Sequence, residues 1–230
     1  MEKISLSVFF PCYNEEKNIG KLLKEATQFL PIIAHDYEII VIDDGSRDAT
    51  LEIAQKFSQK NPKIKVIRHK KNKGYGAALR TGFENSEKEY IFFTDGDNQF
   101  DIKEIIKLLP YIKEFDIVAG FRIKRRDNFI RRFNAKAFNL LIRFIFGLKV
   151  KDIDCAFKII KKKVIKDLKL QSMGAFINAE LLILAVKKGY KIKQVGVNHY
   201  PRIYGTQTGS SPAVVLRALY ELFKLRKFLK

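Results

Sequence analysis

Apolar runs rich in β-branched and aromatic residues recur through the first half of this chain, each followed by a stretch with helical spacing. The runs fall at Leu6–Phe10, Tyr37–Ile42, Ile64–Ile67 and Tyr90–Phe93. The helical stretches fall at about Glu15–Leu30, Asp48–Gln59, Tyr75–Asn85 and Ile102–Ile112. Strand, helix, strand at this interval predicts right-handed crossover units stacked into a mostly parallel sheet. Strands that are apolar almost throughout need both faces covered, and the helices can cover them. An α/β fold is therefore expected. With 230 residues and 47% hydrophobic content, the chain can build the core of one large domain, with or without an appendage.

The second half is less regular. Asp116–Gly120, Ala156–Ile160 and Ile192–Val197 read as strands, and Asn128–Phe146 and Ile177–Lys188 as helices. Tyr204–Pro212 has the composition of a lid loop, and a final helix is expected over about Ala213–Leu229.

Ligands of parallel sheets bind beyond the carboxyl ends of the strands. The loops there, "PCYNEE", "DDGSRD" and "TDGDNQ", are acidic. The chain as a whole is basic, with 44 Lys+Arg against 25 Asp+Glu and a formal charge of +19. Acid gathered in such a chain needs a cation: an arginine, a metal ion, or only water around a turn. Asp95 and Asp97 flank Gly96 after the fourth strand. Alternate carboxylates in a turn can converge on one hard cation such as Mg²⁺ or Mn²⁺. They equally fit a plain turn in which Asp101 caps the next helix. Asp43 and Asp44 close the second strand, where a carboxylate can accept hydrogen bonds from a nucleobase or ribose. A glycine turn capped by Ser46 or Asp48 is the alternative. Asn72-Lys73-Gly74-Tyr75-Gly76 leads into a helix whose N-terminus can receive phosphate, or is an ordinary turn. It matches neither a P-loop nor the dinucleotide fingerprint, which disfavours both of those classes. Arg122, Lys124, Arg125, Arg126, Arg131 and Arg132 form a basic group, suited to a phosphate clamp or to a solvated face.

Composition narrows the partners. The charge implies a polyanion. A nucleic-acid binder would set stacking aromatics in a basic groove and would have no use for acids clustered at strand ends, so phosphorylated substrates or an anionic membrane are expected and no nucleic acid. Cys12 and Cys155 are the only cysteines, with no CxxC pattern, which fits a reducing cytosol. No signal-peptide pattern is read at Met1-Glu2-Lys3-Ile4, and no apolar stretch approaches the roughly 18–20 residues of a membrane span. His35, His69 and His199 are scattered and read as structural or surface residues.

Taken in order, the motifs form a pattern. Pro11-x-Tyr13-Asn14-Glu15-Glu16 is followed by Val41-Ile42-Asp43-Asp44-Gly45-Ser46, then Asn72-Lys73-Gly74-x-Gly76, then Asp95-Gly96-Asp97-Asn98-Gln99. Downstream come Gly120-Phe121-Arg122, Asp152-x-Asp154-Cys155-Ala156-Phe157-Lys158, Asn178-x-Glu180-Leu181 and Arg202-x-Tyr204-Gly205. Over about residues 4–209 this series resembles glycosyltransferase family 2, in the branch of dolichol-phosphate mannose synthase and bacterial polyprenyl-phosphate glucosyltransferases. The resemblance implies a GT-A fold with a catalytic domain over 1–210 and a C-terminal amphipathic helix over 211–230. It implies a nucleotide-sugar donor, UDP- or GDP-hexose, bound by Pro11, Tyr13, Glu15, Asp43, Asp44, Lys73 and Asp95. It places Mg²⁺ or Mn²⁺ on Asp95 and Asp97, with Gln99 beside them and Arg122, Arg131 and Arg202 on donor or acceptor phosphates. The acceptor implied is a polyprenyl phosphate, whose ionised oxygen needs no strong base. A sugar hydroxyl on a polysaccharide or glycolipid would need one. Asp152 and Asp154 are the candidates, and Glu180 belongs to the same acceptor region. The family lid reads Arg-x-x-Gly-x-Ser-Lys. Here Arg202-Ile203-Tyr204-Gly205-Thr206-Gln207-Thr208-Gly209 lacks the Ser-Lys pair.

Two helices suggest where a lipid would enter. Arg132, Lys136, Asn139 and Arg143 make one polar stripe on a helix otherwise covered by Phe133, Phe138, Leu140, Leu141, Phe144, Ile145 and Phe146. In the last helix Val215, Leu216, Leu219, Leu222, Phe223 and Leu229 share a face, interrupted by Arg226. Both fit core packing, and both fit helices lying in a membrane interface. The expectation is a peripheral protein at the cytoplasmic, inner face of a membrane, alone or docked on a separate membrane subunit.

Overall fold

The structure, a computed structural model, describes residues 2–123, 129–205 and 212–229, with only the backbone course of 129–136 and Pro212. Seven strands form one sheet: β1 (Ile4–Cys12), β2 (Ala34–Asp43), β3 (Ile64–Arg68), β4 (Tyr90–Thr94), β5 (Ile117–Arg122), β6 (Phe157–Lys161) and β7 (Ile192–Val197). Their order is β3-β2-β1-β4-β6-β5-β7. β6 runs antiparallel to β4 and β5, and all other pairs are parallel. The helices are α1 (Glu16–Ile33), α2 (Thr50–Lys60), α3 (Tyr75–Glu84), α4 (Phe129–Phe146), α5 (Lys162–Asp167), α6 (Ile177–Lys187) and α7 (Pro212–Phe228).

Successive strand residues face opposite sides, so each strand feeds two apolar layers. Leu6, Val8 and Phe10 of β1 pack with Ile19, Leu22 and Leu23 of α1. Phe9, from the same strand, packs on the other side with Phe83 of α3 and Phe93 of β4. The Phe9 and Phe93 rings stack 5.4 Å apart, with Phe83 edge-on to both. Leu222 and Leu225 bury α7 in this second layer together with α6.

Ile102–Ile112 departs from expectation. It forms two short 3₁₀ turns, Ile102–Lys107 and Leu109–Tyr111, instead of an α-helix. Asp101 starts the first by accepting the Lys103 N–H. Pro110 has no N–H to donate back to Ile106, so an α-helical ladder cannot run unbroken through this stretch. Ile102, Ile105, Leu108 and Ile112 are buried nonetheless. Helix α5 falls on lysines that read as a solvated face; its Val164 is buried and anchors the turn.

The sheet order sets the site. The carboxyl ends of β1, β2 and β4 lie side by side, with Cys12 paired to Asp43. Because β6 runs the other way, its start meets the end of β4, and Phe157 pairs with Thr94. The Asp152–Ala156 segment is thereby delivered to Asp95.

Candidate functional site

A cavity of about 1010 Å³ opens beyond these strand ends. Asp95, Gly96 and Asp97 lie on its wall. Gly96 has no room for a side chain, since a Cβ there would come within 2.5 Å of the Cys12 sulfur. Asn14 and Asn98 adopt positive φ, at 57° and 58°. Side-chain bonds hold both: Asn14 Oδ1 accepts the Arg47 N–H, and Asn98 Nδ2 donates to the Asn18 carbonyl. Asparagine tolerates this strained conformation better than most residues, and such positions gather where a chain must bend around a site.

Asp95 Oδ1 is buried with no hydrogen-bond partner. Burial, and next the Asp97 carboxylate, pushes the Asp95 pKa up to about 7. A desolvated carboxylate in this position asks for a cation. Two aspartate carboxylates are the hard oxygen donors that Mg²⁺ and Mn²⁺ prefer, so the residues present fit such an ion. Among the described residues there is no cluster of three or more His, Cys, Asp or Glu able to hold one. The remaining ligands would come from water and phosphate.

Fixed cations surround the pair. Arg202 donates from Nη2 to Glu15 Oε1 at 2.7 Å and from Nη1 to Asp97 Oδ2 at 3.3 Å. Its Nε holds the Tyr204 carbonyl. Burial raises the Glu15 pKa, opposed by the bond from Asn18 and by Arg202. Arg122 grips Asp152 in a fork, Nε to Oδ2 and Nη2 to Oδ1, each at 2.7 Å. Lys158 is fully buried, with Nζ bonded to the carbonyls of Ile153 and Cys155 and to Asn178 Oδ1. Gln99 donates its side-chain amide to the Tyr200 carbonyl, and its backbone N–H caps Asp97 Oδ1.

The other end of the cavity is built on β1 and β2. Pro11, Tyr13 and Asp44 line it. Asp44 accepts the backbone N–H groups of Lys73 and Gly74 and lies 2.6 Å from His69 Nδ1, so this carboxylate shapes the Asn72–Gly74 turn. Gly74 sits at φ 98°, which explains a glycine there. His69 is structural in this arrangement, bridging Asp44 and Thr81.

The cavity thus brings together Pro11, Tyr13, Glu15 and Asp44 with Asp95, Asp97, Gln99, Arg122, Asp154 and Arg202. Four other expected residues stand behind its surface. Asp43 is fully buried and accepts the Ser46 N–H. Lys73 contributes its backbone to the turn. Asp152 is taken up by Arg122. Glu180 holds the loop before α6 through the N–H groups of Gln171 and Ser172. The Arg131 side chain, residues Lys124–Arg126 and lid residues 206–211 lie outside the described residues. Sequence reading assigned no role to Tyr75, Asn178 or Arg217. The Tyr75 hydroxyl is buried, facing Asp95 and Asn178. It sits among glycines at a helix start, a position that carries no chemical signature by itself.

The sequence pattern of Glycosyl transferase family 2 matches residues 7–169. The chain belongs to that family. Among curated relatives, it is 31% identical to dodecaprenyl-phosphate galacturonate synthase of Rhizobium johnstonii, across 98% of this chain and 69% of that protein. It is 29% identical to undecaprenyl-phosphate 4-deoxy-4-formamido-L-arabinose transferase of Pseudomonas fluorescens, across 94% of this chain and 63% of that one. The chain therefore spans about two thirds of the length of these relatives. Among solved structures, glucosyl-3-phosphoglycerate synthase of Mycobacterium tuberculosis, crystallised with Mn²⁺, UDP and glucosyl-3-phosphoglycerate, superposes with a TM-score of 0.78 at 18% identity, over 96% of this chain and 79% of that one. This likeness carries the fold, and it agrees with the GT-A architecture expected for family 2.

Proposed function

We propose that this chain is the catalytic part of an inverting, metal-dependent hexosyltransferase. It moves the sugar of a UDP- or GDP-hexose to a polyprenyl phosphate and works as a peripheral protein at the cytoplasmic face of a membrane. The observation that carries this reading is the partnerless buried oxygen of Asp95 beside Asp97, set between a polar, loop-built end of one cavity and an apolar end. The names of the relatives support the acceptor class.

In this reading an anionic acceptor oxygen attacks the anomeric carbon from the face opposite the donor diphosphate. The bond from that carbon to the diphosphate breaks, and the nucleoside diphosphate leaves with the electron pair. A divalent ion on Asp95 and Asp97 would supply positive charge for that leaving group. Arg202 and Arg122 offer planar donor arrays to phosphate oxygens. Pro11, Tyr13 and Asp44 bound the nucleoside end. A phosphate monoester, with a second pKa of about 6, is ionised at neutral pH and needs no base. Of the base candidates, Asp152 is held by Arg122 and Glu180 by two backbone N–H groups, which leaves Asp154 as the carboxylate of that region on the cavity wall.

No helix among the described residues is long and apolar enough to cross a membrane. α4 and α7 instead expose large apolar side chains. Phe144 is 87% exposed and Leu140 67%, with Arg143 between them also exposed. On α7, Leu216, Tyr220 and Phe223 follow helical spacing and all are exposed, flanked by Lys224 and Lys227. Apolar stripes bordered by cations suit the boundary between acyl chains and anionic headgroups.

The test is a donor screen with purified protein, Mn²⁺, a short-chain polyprenyl phosphate and a panel of nucleotide-sugars, read by mass spectrometry. One sugar-lipid product, lost with EDTA and absent when the matching alcohol replaces the phosphate, is expected. Failure of every donor in the presence of membranes would overturn the reading.

A further inference from the structure

Helix α7 lies beyond residues 7–169, the stretch matched by the family pattern. Its first turns nonetheless form part of the cavity wall, through Val214, Val215, Arg217 and Ala218. Phe138 of α4 and Phe176 also line the cavity. Arg217 is thus a cation set in an apolar stretch of wall.

Its place is fixed by two glycines. A Cβ on Gly174 would lie 3.3 Å from Cδ and Nε of Arg217, and a Cβ on Gly74 would lie 3.9 Å from Nη1. The guanidinium therefore lies between the loop before α6 and the start of α3. Glu221, one helical turn on, steadies it. Glu221 Oε1 accepts Arg217 Nε at 3.3 Å and also the N–H groups of Met173 and Gly174, at 3.1 and 3.2 Å. The Glu221 side chain is 10% exposed, whereas that of Arg217 is 50% exposed. Neither Nη group of Arg217 has a hydrogen-bond partner among the described residues.

An arginine held at one nitrogen, with its other donors open to a cavity, is arranged to take an anion. We propose that Arg217 binds the phosphate of the lipid acceptor, an inference that rests on the polyprenyl-phosphate reading above. The surroundings favour the acceptor's phosphate over the donor's. Val214, Val215 and Ala218 offer an apolar surface to a prenyl chain but nothing to a nucleoside, whose end of the cavity is built by β1 and β2. The same helix carries Leu216, Tyr220 and Phe223 on its exposed side, so it connects the cavity with the surface read as meeting the membrane.

The experiment compares binding of a short-chain prenyl monophosphate and its matching alcohol by calorimetry, with nucleotide affinity and melting temperature measured alongside. Wild type is expected to prefer the phosphate. Arg217→Ala is expected to lose about tenfold to a hundredfold of that preference, the worth of a charge-assisted hydrogen bond or two. Arg217→Lys should keep part of it, and nucleotide affinity should not move. If Arg217 served only to hold Glu221 and the loop, Glu221→Gln and Arg217→Ala would lower melting temperature and both affinities together, and the proposal would fall. It would also fall if wild type did not distinguish phosphate from alcohol, or if Arg217→Ala kept the full preference. Should wild type prefer the phosphate through Arg217 yet transfer no sugar to it, the functional reading would fail while the binding site stood.

Discussion

Replacing Asp152 with alanine removes a forked carboxylate partner of Arg122 and separates two roles for this carboxylate, holder of an arginine or base for an acceptor. The fork between them has two 2.7 Å bonds, and the side chains are 5% and 8% exposed. The Arg122 backbone N–H adds a third bond to Asp152 Oδ2 at 3.2 Å. Taking away one member of a buried pair leaves the other charge under-compensated in a desolvated site, at up to about 3–5 kcal/mol. Two charge-assisted bonds at about 1.5–3 kcal/mol each give about 3–6 kcal/mol, an overlapping range by a separate route. Asp152→Asn keeps the shape and one acceptor, so about half that loss is expected. A domain with about 5–15 kcal/mol of stability would still fold, which makes the experiment practicable. In urea at neutral pH, a slope of about 2–3 kcal/mol/M turns the alanine loss into a midpoint lower by roughly 1–2 M. Turnover should fall about a hundredfold or more in both variants, because Arg122 no longer presents a fixed donor array. An alanine variant losing less than about 1 kcal/mol would refute the assignment, since a buried pair cannot be broken so cheaply. So would an asparagine variant with wild-type stability whose turnover loses its dependence on a deprotonated group, the behaviour of a missing base.

Asp97→Ala is expected to abolish sugar transfer and Mn²⁺ binding measured by electron paramagnetic resonance, with an unchanged circular dichroism spectrum. Asp95→Asn should also abolish transfer, yet raise the urea midpoint in EDTA, because it replaces a desolvated carboxylate with a neutral group. Burial raises the Glu38 pKa, but hydrogen bonds from Ser7, Lys65 and the Glu87 N–H outweigh this and hold it below its ordinary 4.5. Its contribution to stability is therefore full above that ordinary value and is lost as pH falls through the depressed one. Glu38→Gln should be less stable than wild type at neutral pH, with the gap closing in acid denaturation curves below about pH 4.5. Replacing Leu216, Tyr220 and Phe223 together with serine should leave solution stability within about 1 kcal/mol, since all three are exposed, but should reduce sedimentation with anionic vesicles.

The half of the fold nearest the N-terminus was legible because its signals are local. Apolar runs such as Ile39–Ile42 are bounded by turn residues, and helix α1 shows plain 3.6-residue periodicity. The inversion of β6 was not legible, because Phe157–Lys161 has the same composition whichever way it runs, and direction is decided by long-range pairing with β4. Helical spacing also misled at Ile102–Ile112, which winds as two 3₁₀ turns, with Pro110 unable to continue an α-ladder in the second. At the site, Asp95 and Asp97 stood out as acids in a basic chain. Glu180 stood out equally, but its carboxylate is spent on two backbone N–H groups, a partnership that only the folded loop reveals. Arg217 was hidden for the opposite reason. It is one of several cations on the last helix, and nothing local said that its side would turn toward a cavity.

The inverted strand has an electrostatic consequence. By pairing Lys158 opposite Phe93, it sets the buried Lys158 side chain beneath the end of β4, its Nζ 5.5 Å from the Phe93 ring centre. Burial draws the Lys158 pKa down, and the acids around it, Asp152, Asp154 and Asp95, draw it back up. In turn Lys158 and Arg122 oppose the rise in the Asp95 pKa. The acids of this site are therefore partly balanced by cations belonging to the chain. An Asp95–Asp97 pair with no such support would bind a dication strongly and hold it between turnovers. With fixed positive charge already present, an arriving dication gains less from the two carboxylates, and a diphosphate gains more from the site as a whole. In the proposed reading, ion and diphosphate would then favour each other's binding, and loss of one would loosen the other. That coupling suits a transferase whose nucleoside diphosphate product must depart before the next donor can enter.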